Sequence, residues 1–283
     1  MKKFNRNYHT HCDLCKHAIG TIEDYVVKAI ENGFKAIGIS DHAPFDFLEE
    51  RSLRMTSEEF PEYIRQLKHV IVEYLDYILI YRSLEIEYFN GMDHHYQELL
   101  EKLDYLILGQ HYIEIENELR SVYKLKTYEE MEVYAKTITK AMRKWYFKII
   151  AHPDIFLINQ GQITDQMIEL SKEIIKVAKE TNTLLEINAN GFRKRKHKID
   201  GKLFRPYPRI EFWKLVHELN AKAIISADAH RPDQLNDQAI EQAMKFAEDI
   251  QVAVEEELVL DWFFFYLSNF NPKHFLIYYP YHK

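Results

Sequence analysis

Near the start of the chain two histidines stand two residues apart, in Tyr8-His9-Thr10-His11. In extended backbone, residues i and i+2 face the same side, so this spacing would aim two imidazoles at one point. Neutral imidazole is the commonest protein ligand for zinc, iron and related metals. A lone pair of this kind is more often a satisfied structural feature than a metal site. The pair gains weight because similar donors recur at the ends of later apolar runs: His42, Glu85, His111, His152, and Asp228 with His230. Imidazoles alone would leave the charge of several divalent ions unbalanced. Glu85 and Asp228 would supply anionic ligands. Glu85 and Glu87 flank Ile86 at i and i+2 and could face one side, which leaves Glu87 to support a ligand or to face a substrate.

Those donors need elements to hold them, and the pattern supplies strands alternating with helices. Thr21 with Asp24 opens a helix carrying Ile22, Tyr25, Val26, Ala29 and Ile30 at helical spacing, and Gly33 stops it. Ala36–Ser40 reads as a buried strand ending at Asp41-His42. A second helix is marked by Phe60, Ile64, Leu67, Ile71 and Tyr74. Tyr77–Tyr81 runs into Leu84–Tyr88 as the third strand region, and Tyr105–Leu108 is the fourth, running into Gly109-Gln110-His111. Thr127 with Glu130 forms a capping box before a helix through Met142. Phe147–Ala151 leads to His152-Pro153-Asp154. A helix spans about 164–180, a strand 184–188, a helix about 211–219 and a strand 222–226. Pro232 then starts a helix to about Glu248. Seven such units, with no long Gly/Ser/Pro linker, predict a parallel sheet curved into a barrel. In barrels the chemistry sits at the C-terminal ends of the strands, where these donors fall.

Composition sets the bounds. A chain of 283 residues with 47% hydrophobic content fits one large domain over residues 1–283. A net charge of -7 and a pI near 6.1 argue against a nucleic-acid surface. Two cysteines, Cys12 and Cys15, imply no disulfide framework and suit a reducing, cytoplasmic location. They read as thiols beside the metal residues, since a zinc knuckle needs four ligands. Polar Asn5, Arg6 and Asn7 replace the apolar region of a signal peptide. The apolar run Trp262–Leu267 is too short to span a bilayer, so no membrane partner is expected. Residues 251–283 form an aromatic-rich extension whose Trp262–Tyr266, Phe270, Tyr278, Tyr279 and Tyr281 read as core or barrel-closing packing. Arg193-Lys194-Arg195-Lys196-His197-Lys198 is the strongest basic run. It is either a solvated loop or, beside the metal mouth, an anion grip in which the Arg193 fork is the best placed.

Together, His9-Thr10-His11, His17, Ser40-Asp41-His42, Glu85, His111, His152-Pro153-Asp154 and Asp228-Ala229-His230 resemble the motifs of the PHP (polymerase and histidinol phosphatase) superfamily. More narrowly they are similar to its bacterial histidinol-phosphate phosphatases. Supporting details are Ala43-Pro44 after His42, Arg54-Met55, Leu84–Phe89, Glu186-Ile187-Asn188, Gly191-Phe192-Arg193-Lys194 and Tyr207-Pro208. The likeness covers roughly residues 7–247. Ser83 stands where many relatives have Gly, the Gly109–His111 segment is one residue short, and the end of the chain matches little. The resemblance implies a distorted (β/α)7 TIM-like barrel and three divalent metal ions, with zinc, iron and manganese all compatible. His9, His11, Glu85 and Asp228 would hold one ion. Glu85 would bridge to a second, completed by His111 and His152. His17, His42 and His230 would hold the third. The implied activity is metal-dependent hydrolysis of the phosphomonoester L-histidinol phosphate, a step of histidine biosynthesis, with Glu85 and Asp228 at the reacting centre and Arg193 and Glu87 on the substrate. A nuclease or nucleotide phosphodiesterase of the same superfamily is the alternative enzyme. A non-catalytic metal-binding module is the alternative class. The sequence leaves the oligomeric state open.

Overall fold

The computed structural model describes residues 3–48 and 52–260. The aromatic residues expected to close the fold, Trp262 to Tyr281, lie outside the described residues. In chain order the elements are β1 (Arg6–Asn7), α1 (Ile22–Glu31), β2 (Ala36–Ile39), α2 (Phe60–Glu73), β3 (Leu79–Arg82), β4 (Glu85–Ile86), α3 (Asp93–Leu100) and β5 (Leu106–Leu108). There follow β6 (Tyr112–Ile115), β7 (Glu118–Ser121), α4 (Tyr128–Met142), β8 (Phe147–Ile150), α5 (Asp165–Thr181), β9 (Leu184–Asn188) and α6 (Asn190–Arg193). The last are β10 (His197–Ile199), β11 (Lys202–Phe204), α7 (Ile210–Glu218), β12 (Ala223–Ser226), α8 (Gln238–Asp249) and β13 (Val254–Glu255).

The helix starts follow from local chemistry. Both capping boxes form: Thr21 and Asp24 exchange bonds at α1, and Thr127 and Glu130 do so at α4. Each satisfies amide donors that a helix leaves unpaired at its first turn. The apolar stretches β2, β5, β9 and β12 are buried throughout, as parallel strands covered on both faces must be.

The strands lie in two parallel sheets, β1-β2-β3 and β4-β5-β8-β9-β12-β13. Two parallel bridges join them, His42 with Glu85 and Thr10 with Ala229. The order therefore runs β1-β2-β3/β4-β5-β8-β9-β12 and returns to the continuation of β1. These are the seven units read from the sequence, with β3 and β4 two pieces of one run. β13 adds a short parallel segment beside Ala223 and Ile224.

A small cluster of Tyr8, Tyr105, Ile107, Ile149, Ala151, Leu184, Ile224 and Leu258 draws on most of these strands, as side chains filling a barrel interior do. Gly38 of β2 makes room for it: a Cβ there would stand 1.9 Å from the Tyr105 hydroxyl oxygen. That hydroxyl donates to the Tyr8 carbonyl. The larger apolar cluster lies between strands and helices. Among the described residues no helix is long and apolar enough to cross a membrane.

Three features depart from the sequence reading. α3 and the antiparallel hairpins β6/β7 and β10/β11 were not expected. The helix begun at Pro232 is a 3-10 turn, Pro232–Asn236, and α8 starts afresh where the Asp237 carboxylate accepts from the Ala239 and Ile240 amides. The basic run contributes Arg193 to α6 and His197 and Lys198 to a hairpin strand.

Candidate metal centre

His9 and His11 flank Thr10, whose bridge to Ala229 keeps this stretch extended, and both imidazoles are fully buried. Their Nε2 atoms meet at 3.0 Å. Opposite them the Glu85 carboxylate begins β4. Its Oε2 lies 3.2 Å from His9 Nε2, 3.4 Å from His11 Nε2 and 3.3 Å from His42 Nδ1. Its Oε1 lies 3.1 Å from His152 Nε2 and 3.5 Å from His111 Nε2. Asp228 Oδ1 lies 3.2 Å from His11 Nε2 and 3.8 Å from His9 Nε2. On the open side, His17 Nε2 and His230 Nε2 face each other at 2.9 Å.

Three donor triplets follow the expected ligand sets: His9, His11 and Asp228; Glu85, His111 and His152; and His17, His42 and His230. A fourth, His11, His42 and Glu85, draws His42 towards the first set as well. Cys15 joins His11 and His230 in a fifth triplet that the sequence reading did not include. Its neighbour Cys12 donates its thiol to Asp41 Oδ2 at 2.9 Å.

The chemistry of the donor set tests whether cations fit. Glu186 Oε1 sits 2.7 Å from His9 Nδ1, Glu87 Oε1 sits 3.0 Å from His111 Nδ1, and Asp41 Oδ1 lies 3.5 Å from His11 Nδ1. The Cys15 carbonyl lies 2.9 Å from His17 Nδ1, and the Asp228 carbonyl 3.2 Å from His230 Nδ1. For His9, His111, His17 and His230 the partner is a hydrogen-bond acceptor, so in a neutral ring it holds the proton on Nδ1 and leaves Nε2 as a bare lone pair; His11 Nδ1 only lies near the Asp41 carboxylate. Those lone pairs then point at one another and at carboxylate oxygens. Asp228 Oδ1, buried, has no hydrogen-bond donor among the described residues. Such an arrangement is repulsive until positive charge enters it, so the residues present fit divalent metal ions.

Without metal, protons must serve. Burial opposes charging His9, but Glu186, Glu85 and Asp228 outweigh it and hold its pKa well above 6.5. Burial likewise opposes charging His11, yet the adjacent Asp228 and Asp41 carboxylates raise it to about 9. Burial would raise the carboxyl pKa values of Glu85 and Asp228, but the surrounding imidazoles hold both well below the ordinary range.

The backbone is shaped around these groups. His152 and Asp228 each stand two residues past the last residue of a strand and adopt φ of 34° and 44°, a costly conformation for residues with side chains. At the end of β5, Gly109 makes space for the shared carboxylate, since a Cβ there would fall 2.1 Å from Glu85 Oε1.

Two sequence expectations require correction. Arg193 does not hold its guanidinium out for an anion. Nε and Nη2 bond Asp237 at 2.8 and 3.1 Å, Nη1 bonds the Ala227 carbonyl at 2.6 Å, and Nη2 also bonds the Gln234 carbonyl at 2.8 Å. It ties α6 to the segment after β12. Glu87 does not face the mouth as a substrate contact either. It is buried between His111 and Arg54, which it meets at 3.0 Å in each case.

The sequence reading quoted Glu186, Asn188 and Arg54 only as motif neighbours and gave them no role. Glu186 Oε2 also takes bonds from the His152 amide and Asn188 Nδ2, at 3.1 and 2.8 Å. Asn188 Nδ2 and Asn190 Nδ2 bond Asp228 Oδ2 at 3.0 and 3.3 Å. The i, i+2 spacing of Glu186 and Asn188 at the end of a strand was the available signal. Asp154 accepts the Arg209 amide.

A family model described as PHP domain matches residues 7–190. The chain is 24% identical over 235 residues to a Deinococcus radiodurans protein named probable histidinol-phosphatase, covering 80% of this chain and 86% of that one. It is 25% identical over 260 residues to a Schizosaccharomyces pombe protein of the same name, covering 80% and 81%. The histidinol phosphate phosphatase of Lactococcus lactis, solved with zinc, L-histidinol and phosphate, shares the fold at a TM-score of 0.66 and 18% identity, covering 89% of this chain and 95% of that one.

Proposed function

We propose that this chain, which belongs to the PHP domain family, is a metal-dependent phosphomonoesterase that hydrolyses L-histidinol phosphate to L-histidinol and phosphate. The observation that carries the reading is the convergence of five imidazoles and Asp228 around the single carboxylate of Glu85. Divalent ions held there would supply Lewis-acid stabilisation of phosphoryl oxygens and lower the pKa of water from about 15.7 towards 7.

The chain's own residues do the rest. Glu85, through its two oxygens, would share a ligand between His9/His11 and His111/His152. Asp228 would add anionic charge to the His9/His11 side, held in place by Asn188 and Asn190. Glu186 and Glu87 fix the His9 and His111 imidazoles by their far nitrogens, which keeps the near nitrogens aimed inward. His9 and His11 are buried while His17 is exposed, so an ester would approach from the His17, His42 and His230 side. The named relatives support histidinol phosphate as the substrate, and with it a place in histidine biosynthesis.

The test is steady-state turnover by zinc- or manganese-loaded protein, read as phosphate release from the monoesters and as p-nitrophenolate release from the diester. Histidinol phosphate, p-nitrophenyl phosphate and the diester bis(p-nitrophenyl) phosphate would be compared. Histidinol phosphate should have a kcat/KM at least a hundredfold above the other two. Faster turnover of the diester, or no release from histidinol phosphate, would overturn the substrate assignment.

A further inference from the structure

The segment after the β10/β11 hairpin runs back over the end of β9 and seats Tyr207 against the metal residues. Its ring centroid is 5.7 Å from that of His152. Gly191 lets it come so close, since a Cβ there would fall 2.1 Å from the Tyr207 carbonyl oxygen. Two residues on, the Arg209 amide is held by Asp154, and its guanidinium bonds the carbonyls of Leu157 and Gln160 at 2.8 and 2.6 Å. Tyr207 is thus clamped between the loop after β8 and the loop after β9.

Its side chain is 3% exposed, yet its hydroxyl has no hydrogen-bond partner among the described residues and is not among the atoms sealed from solvent. Most other phenols buried in this core bond within the protein, as Tyr63 does to the Ser83 carbonyl and Tyr96 to the Glu87 carbonyl; Tyr88 is an exception, but its hydroxyl is sealed from solvent. Burial, and then the neighbouring Tyr123, Asp228, Glu85 and Glu186, raise the phenol well above 10. A phenol is in any case a donor at neutral pH.

The arginines around the centre are already engaged. Arg193 holds Asp237, Arg54 holds Glu87 and the Ala43 carbonyl, and Arg209 holds the two carbonyls above. A phosphoryl group entering the site brings oxygens rich in lone pairs and needs donors.

We infer that Tyr207 donates its hydroxyl hydrogen bond to a non-bridging oxygen of the bound phosphoryl group, and that it, rather than Arg193, is the side chain through which the loop after β9 reads substrate. The inference rests on the phosphatase reading above and adds to it a named substrate contact. The bond is a neutral donor to a charged acceptor, a class whose removal weakens binding by roughly tenfold to a hundredfold.

Tyr207→Phe in the full-length, zinc-loaded protein tests it, because the ring and its packing are kept. Inorganic phosphate is titrated calorimetrically into wild type and variant, and kcat and KM are measured on histidinol phosphate. The expected result is a phosphate Kd raised about tenfold or more, kcat/KM lowered in proportion, and unchanged metal stoichiometry and melting temperature. An unchanged phosphate Kd overturns the assignment. So does a loss of metal or of melting temperature in the variant, which would make the hydroxyl structural, and so does a wild-type protein that binds no phosphate. A wild type that binds phosphate through Tyr207 but leaves histidinol phosphate intact sinks the substrate reading alone.

Discussion

Glu85 carries the arrangement at the scale of single residues. One buried carboxylate with two oxygens serves three imidazoles on one side and two on the other. Among the described residues no other side chain joins both groups, and a neutral amide of the same shape could not offset the charge of two cations. Glu85→Gln should therefore lower metal stoichiometry by at least one ion and activity by more than a hundredfold, with the fold retained. Elemental analysis of purified protein beside its circular dichroism checks this, and full metal content would show that Glu85 is not shared. Arg193 makes the opposite case. Its bonds go to one carboxylate and two carbonyls of the scaffold, so Arg193→Ala should act on stability, at about 2–4 kcal/mol. Urea unfolding would register the loss. A variant of wild-type stability with a selectively raised KM would return Arg193 to the substrate.

At the scale of elements, what was legible depended on range in sequence. Continuous apolar runs such as Leu106–Leu108 and Ala223–Ile225, and the boxes at Thr21 and Thr127, are local signals. The strands and helix starts they imply are present. Most of the candidate ligand positions were legible because they lie within a few residues of a strand, where the chain order itself places donors together; His17, ten residues beyond β1, has no such local mark. α3 was not legible: Asp93-His94-His95-Tyr96-Gln97-Glu98-Leu99-Leu100 buries only Tyr96 and Leu99 and carries no side-chain cap. The two hairpins have weak alternation and largely exposed strands. The misreading of Arg193 was of another kind. Its partner Asp237 is 44 residues away, and no local pattern marks it.

Gly109 shows how an element's end can govern the site. It stands where β5 passes Glu85, and its backbone conformation is open to any residue, so the effect of a side chain there is purely one of space. Gly109→Ala should displace the carboxylate, cut metal affinity at least tenfold and leave the helical content unchanged. Zinc titration with a competing chelator reads the affinity, and an unchanged value would mean that Glu85 has room to move.

For the molecule as a whole, the metal residues are a store of unbalanced charge inside a chain already at -7. Metal-free protein must hold protons on buried imidazoles to neutralise Glu85, Asp228 and Glu186. The sign of the pH dependence follows. A histidine whose folded pKa is raised stabilises the fold fully below its unfolded value of about 6.5 and loses that contribution as pH rises through the folded value. For His11 that window extends to about 9. Metal-free protein should thus lose stability between about pH 6.5 and 9. Metal binding runs the other way, because each ligand nitrogen must give up its proton before a cation takes its place. Zinc affinity should go on rising with pH up to about 9, where ordinary imidazoles would have levelled off near 7. At pH 7.5 zinc uptake should release about two protons, chiefly from His9 and His11. Calorimetric titration of chelator-treated protein in buffers of different ionisation enthalpy counts them. Uptake with no proton release would mean that these imidazoles are already neutral, and that the carboxylates around them are balanced by something other than protons.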